Sequence, residues 1–129
     1  MEQSFYICEH CGSVVTFMTN KGVPVMCCGQ GMKALIPGTT DASAEKHVPV
    51  VSAEGDKVAV AVGSAAHPMA QEHYIEWIML ETKQGVQLKR LKPGGEPRAD
   101  FMVCRGDEAM AAYAYCCLLY TPDAADDLT

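Results

Sequence analysis

The sequence predicts a mostly β protein, built as a small metal-stapled module followed by an antiparallel β-sandwich. Three observations carry this expectation. Four of the seven cysteines fall within the first 28 residues, as Cys8, Cys11, Cys27 and Cys28. The remainder of the chain consists of short alternating apolar runs separated by Gly and Pro turn signals. No stretch keeps the period of an amphipathic helix.

The first module is expected to span residues 1–36. Cys8-Glu9-His10-Cys11-Gly12 has the form of a metal knuckle, in which two thiolates three apart turn around one ion and the glycine frees the backbone to approach it. Met26-Cys27-Cys28-Gly29 repeats the pattern, with Gly again directly after the ligands. Strand-like runs at 13–18 and 23–26 lie between, joined by a turn at Asn20-Lys21-Gly22. A segment this short cannot bury enough apolar surface to fold unaided, so a tetrahedral metal is its staple. Thiolates admit iron or zinc, and spacing does not choose between them. His10 is read as a bystander, since four Cys already fill a tetrahedron.

Residues 37–43 are small, polar and turn-prone, and read as a linker to a second domain at 44–129. There, 57–62 alternates with Val58, Val60 and Val62 on one face. The run 74–82 reads as a long strand, with Ile75, Trp77 and Met79 on one side and Tyr74, Ile78 and Leu80 on the other. A turn at Lys83-Gln84-Gly85 leads to a strand at 86–91, and after Pro93-Gly94-Gly95-Glu96-Pro97 strands resume at 99–104 and 110–116. Cys104 is expected to be a buried strand residue.

Composition narrows the function. With 49% hydrophobic and 20% charged residues the chain is globular, and its net charge of −6 argues against a nucleic-acid partner. No run approaches the roughly 18 apolar residues of a membrane helix. The start carries no basic, apolar leader pattern, so a cytoplasmic protein with reduced thiols is expected.

Three of the four histidines lie in the second domain, at His47, His67 and His73, each in a loop or at a strand mouth. Neutral imidazole suits iron, zinc, copper and nickel. From the residues alone, a metal site and ordinary surface histidines both remain open.

Taken together, these motifs resemble a known family. Cys8-x2-Cys11-x15-Cys27-Cys28 is similar to the desulforedoxin/rubredoxin-like centre. Glu45-Lys46-His47-Val48-Pro49, His67-Pro68-Met69, Glu72-His73-Tyr74-Ile75-Glu76-Trp77 and Tyr113-Ala114-Tyr115-Cys116 resemble the iron-site motifs of the desulfoferrodoxins, two-centre superoxide reductases. The likeness runs in order from Tyr6 to Cys116. It implies an immunoglobulin-like sandwich, two irons per subunit, and a homodimer that takes electrons from a rubredoxin-type donor. It implies a four-thiolate iron at Cys8, Cys11, Cys27 and Cys28. A mononuclear iron would be held by His47, His67, His73 and Cys116, with superoxide reduced to peroxide there. Lys46 would attract the superoxide anion, and Glu45 would help expel the product. Zinc remains an alternative in the first centre.

The chain departs from the family after Cys116. The family carries a further histidine three residues beyond that cysteine, where this chain has Leu119. Cys117-Leu118-Leu119-Tyr120-Thr121 and Asp123-Ala124-Ala125-Asp126 resemble a reading frame through the end of a transposase-based sequencing adapter. A non-native tail at 117–129 is therefore expected, with natural divergence as the alternative. Beside an active reductase stand two further readings: a zinc-stapled binding module, and an electron-transfer protein whose second iron site is incomplete and inactive.

Overall fold

The structure, a computed structural model, describes residues 3–36, 49–62, 68–70 and 73–116, together with the backbone of Pro122–Ala125. All regular structure among the described residues is β-strand, and no helix there is long and apolar enough to cross a membrane. The chain divides into two compact units, Met1–Ile36 and Pro37–Thr129. The stretch expected as a linker, 37–43, lies outside the described residues.

In the first unit, β1 (Phe5–Ile7) pairs antiparallel with β2 (Val14–Thr16) on one side and with β5 (Lys33–Leu35) on the other. Between them β3 (Met26–Cys27) and β4 (Gln30–Gly31) form a minimal hairpin. Alternation along β1 sends Phe5 and Ile7 inward, where Leu35 and Cys8 join them in a very small core. Tyr6 points the other way and meets Phe17 edge-on at 5.5 Å. The strands are shorter than their apolar runs predict. The segment 23–25 is not strand: Asn20 Oδ1 accepts the Gly22 N–H at 2.8 Å, and Pro24 has no N–H to give a ladder.

The second unit is an immunoglobulin-like sandwich of two antiparallel sheets. One sheet has the order β10-β7-β6, from β6 (Pro49–Glu54), β7 (Lys57–Val62) and β10 (Arg98–Met102). The other has the order β12-β11-β8-β9, from β8 (Ile75–Thr82), β9 (Val86–Arg90), β11 (Ala109–Cys116) and β12 (Pro122–Ala125). Their inner faces meet in one core that includes Val58, Val60, Val62, Ile75, Ile78, Leu80, Phe101, Ala112, Ala114 and Cys116. At one seam Gln87 Nε2 donates to the Met102 carbonyl at 2.9 Å, and Lys89 Nζ lies 5.8 Å from the centroid of the Phe101 ring.

Two sequence expectations are corrected here. Strict alternation along 74–82 fails, because the β8–β11 pairing is bulged: Tyr115 faces Trp77 but Cys116 faces Ile75, leaving Glu76 as an extra residue. The bulge inverts parity, so Ile75 joins Ile78 and Leu80 in the core, opposite to the face of Trp77 and Met79. Cys104 is exposed rather than buried. Strand β10 ends at Met102, and Cys104 opens a turn in which its carbonyl accepts the Asp107 N–H at 3.0 Å.

Candidate metal centres

The first centre is built by two backbone knuckles. In one, the Cys8 N–H donates to the Ser13 carbonyl at 2.9 Å and the Gly12 N–H to the Cys8 carbonyl at 2.8 Å. Closing that loop needs Gly12 at φ +82, a conformation that costs a side-chain-bearing residue strain. In the other, Gly29 stands at φ +74 and Cys28 itself adopts φ +51, rare for a residue with a Cβ. That strain sits where a ligand must be aimed.

The sulfur atoms of Cys8, Cys11, Cys27 and Cys28 all lie within 4.8 Å of one another. Four sulfurs each about 2.3 Å from a central ion stand about 3.8 Å apart by tetrahedral geometry. The Cys11–Cys27 and Cys27–Cys28 separations are 3.7 and 3.9 Å, so the donor set fits a tetrahedral thiophilic ion such as iron or zinc. Cys8 is buried at the floor of the cluster, while Cys11 and Cys28 are exposed.

The cluster's electrostatics are asymmetric. The Ser13 hydroxyl, 3.1 Å from Cys11 Sγ, heads the hydrogen bonds that lower the Cys11 thiol to about 6. Sharing protons with Cys8, then with Cys11 and Cys28, pushes Cys27 up to about 12. Cys28 is raised as well, chiefly by Cys11. One negative charge settles on Cys11 and the next is resisted until a cation enters. Cysteine spacing does not mark Ser13; a hydroxyl two residues after a knuckle cysteine is the sequence signal for it.

Of the residues read as the second centre, the structure describes two. Cys116 is fully buried at the end of β11. It pairs with Ile75, two residues beyond His73. The His73 N–H donates to the Ala70 carbonyl at 3.0 Å, and its Nε2 atom is buried. A buried thiol and a buried imidazole nitrogen at the same end of one strand pair suit a borderline-soft metal such as iron. His47, His67, Lys46 and Glu45 lie outside the described residues, as do Cys117 and Leu119. His10 is exposed in its knuckle and is not among the clustered ligands.

Along the β8–β11 pair lie two features that alternation patterns do not reveal. Trp77 and Tyr115 stack with ring centroids 5.5 Å apart at 12°. The Tyr113 hydroxyl donates to Glu81 Oε1 at 2.9 Å, which satisfies a buried carboxylate on the same strand pair.

Comparison with known proteins matches this architecture. Residues 39–119 match the Desulfoferrodoxin family. A desulfoferrodoxin homolog of Archaeoglobus fulgidus is 48% identical over 111 residues, covering 86% of this chain and 87% of that protein. The desulfoferrodoxin of Nitratidesulfovibrio vulgaris is 42% identical over 116 residues, covering 89% and 90%. The crystal structure of the superoxide reductase from Treponema pallidum superposes with a TM-score of 0.81 at 38% identity, covering 97% of this chain and 99% of that one. A superoxide reductase (1Fe-SOR) from Giardia intestinalis gives 0.55 at 33% identity over 66% of this chain. With its strands, thiol cluster and buried Cys116 in place, the chain belongs to the desulfoferrodoxin family.

Proposed function

We propose that this protein is a superoxide reductase, catalysing the one-electron reduction of superoxide, with two protons, to hydrogen peroxide. The observation that carries the reading is the buried thiol of Cys116 set against the His73 end of β8, in a chain 38% identical to a superoxide reductase along nearly its whole length. His47, His67, His73 and Cys116 would hold a mononuclear iron, which would supply the electron for the reduction. The Cys116 thiolate, buried in the sandwich core, would donate electron density to that iron, as thiolates do in haem enzymes. Lys46, beside His47, draws the superoxide anion into an otherwise acidic protein. Glu45, next to Lys46 in sequence, would help release the peroxide product. Cys8, Cys11, Cys27 and Cys28 hold the second iron in a separate domain at residues 1–36, with zinc as the other ion that fits. A rubredoxin-type protein supplies electrons, and the enzyme works as a cytoplasmic homodimer.

Leu119 favours a second reading, in which the chain is an electron-transfer or binding module with an incomplete, inactive second iron site. Loss of a ligand should cost at least the roughly 10–100-fold in affinity that outer partners of a metal carry. The test is metal analysis, absorption spectroscopy and a peroxide-yield assay on the iron-loaded chain and on the double variant Cys117→Asn, Leu119→His. The reductase reading expects the unaltered chain to hold the second iron, show a thiolate-to-iron band and yield one peroxide per superoxide consumed; the second reading expects these only in the double variant. An unaltered chain that leaves superoxide untouched while the double variant reduces it overturns the reductase reading.

A further inference from the structure

The bulge in β8 does more than bend a strand. In an unbulged β8–β11 ladder Cys116 would face Glu76, and residues 75, 77 and 79 would share one face. The observed pairing of Cys116 with Ile75 turns Ile75 inward, to the face on which Cys116 is buried. His73, two residues before Ile75, holds an isolated bridge to Ala70 and has its Nε2 atom buried, which places its imidazole on the inner side with Ile75.

Two contacts hold the extra residue at Glu76. The Glu76 carbonyl accepts the Leu91 N–H at 2.8 Å, which tethers the bulge to the end of β9. Trp77 and Tyr115, the last regular pair before the bulge, stack at 5.5 Å and 12°. A one-residue slip would have to break that stack.

We infer that the Trp77–Tyr115 stack and the Glu76 bulge form a positioning device that brings His73 and Cys116 to one face of the sandwich, and that Trp77 is its positioning residue. The inference rests on the reading of His73 and Cys116 as ligands of one ion. Trp77 touches neither substrate nor metal in this scheme; it acts by fixing which residue of β8 is extra.

The test is cobalt(II) titration of the full chain, followed by thiolate-to-cobalt absorption, with melting by circular dichroism as the measure of fold. The four-thiolate cluster takes the first ion, and the Cys116 site takes the second more weakly. Trp77→Leu should weaken the second ion about tenfold or more, the scale of an outer-partner loss, and leave the first unchanged. Trp77→Phe, which keeps a ring on Tyr115, should restore most of the affinity. Should Trp77→Leu fail to fold, Tyr115→Leu breaks the same stack from the other side. A parent chain that binds only one cobalt overturns the shared-site reading and this inference with it. Two bound ions with the second unmoved in folded Trp77→Leu, or equally weakened in Trp77→Phe, overturn the positioning role alone.

Discussion

Withdrawing the metal from the four-thiolate cluster should unfold residues 1–36 and leave the sandwich standing. The apolar core of that unit, apart from Cys8, is Phe5, Ile7 and Leu35. Burying three such side chains contributes about 5–9 kcal/mol in total. Ordering each residue's backbone costs about 1–2 kcal/mol, so burial of that size cannot order a segment of this length alone. A structural thiolate site supplies about 10–16 kcal/mol at neutral pH, more than the apolar core it closes. Cys28 and Gly29, held at φ +51 and +74, lose the ion that justifies their conformation. Hydrogen exchange read by mass spectrometry, before and after exhaustive chelation under reducing conditions, separates the two units. Peptides covering Phe5–Ile7 and Lys33–Leu35 should lose protection, while Ile75–Thr82 and Ala109–Cys116 keep theirs. Full protection of the first unit in protein shown to be metal-free would refute the reasoning.

Four other outcomes follow from the same structure. Cys28→Ser should weaken the ion in residues 1–36 and leave the absorption of a metal at Cys116 unchanged; simultaneous loss of both spectra would contradict separate centres. Loading of the thiol cluster should strengthen as pH rises, because Cys27, at about 12, and Cys28, also raised, must each lose a proton to bind. Near neutrality that gives at least about two decades of apparent affinity per pH unit, steepening below about pH 6 as Cys11 also takes up a proton, and competition titrations between pH 5.5 and 8 would show it. Lys46→Ala should slow the second-order reaction with superoxide and flatten its dependence on ionic strength, which pulse radiolysis at several salt concentrations measures. Phe101→Ala, at a fully buried core position, should cost about 3–5 kcal/mol of the sandwich's stability in denaturant unfolding, without altering the thiol cluster.

The sequence carried most of the sandwich because its inner faces are written in a period of two. Val58, Val60 and Val62 announce β7 at its observed limits, and the Lys83-Gln84-Gly85 turn marks the β8–β9 hairpin, where the Thr82 N–H meets the Gly85 carbonyl at 2.8 Å. Strand β6 was not legible for the converse reason: it is an edge strand whose side chains beyond Pro49 are mostly exposed, so no alternation selects it. Strands β1 and β5 are three residues each, too short to show any period. The four-cysteine cluster could be read from spacing because two knuckles leave the thiols little freedom in where they point. The pairing of Cys116 with Ile75 could not be read that way. It depends on a bulge, and a bulge is a competition between two registers that neighbouring side chains decide.

The stacked indole has an optical consequence. Trp77 is the only tryptophan in the chain, so every photon of indole emission originates beside Tyr115, one residue from Cys116. A paramagnetic ion bound at that thiolate would lie within easy quenching range of the ring, and solvent entering a slipped register would shift its emission to the red. The protein thus carries a built-in fluorescent gauge of the Cys116 end of its sheet, one that can be read without a label in dilute solution.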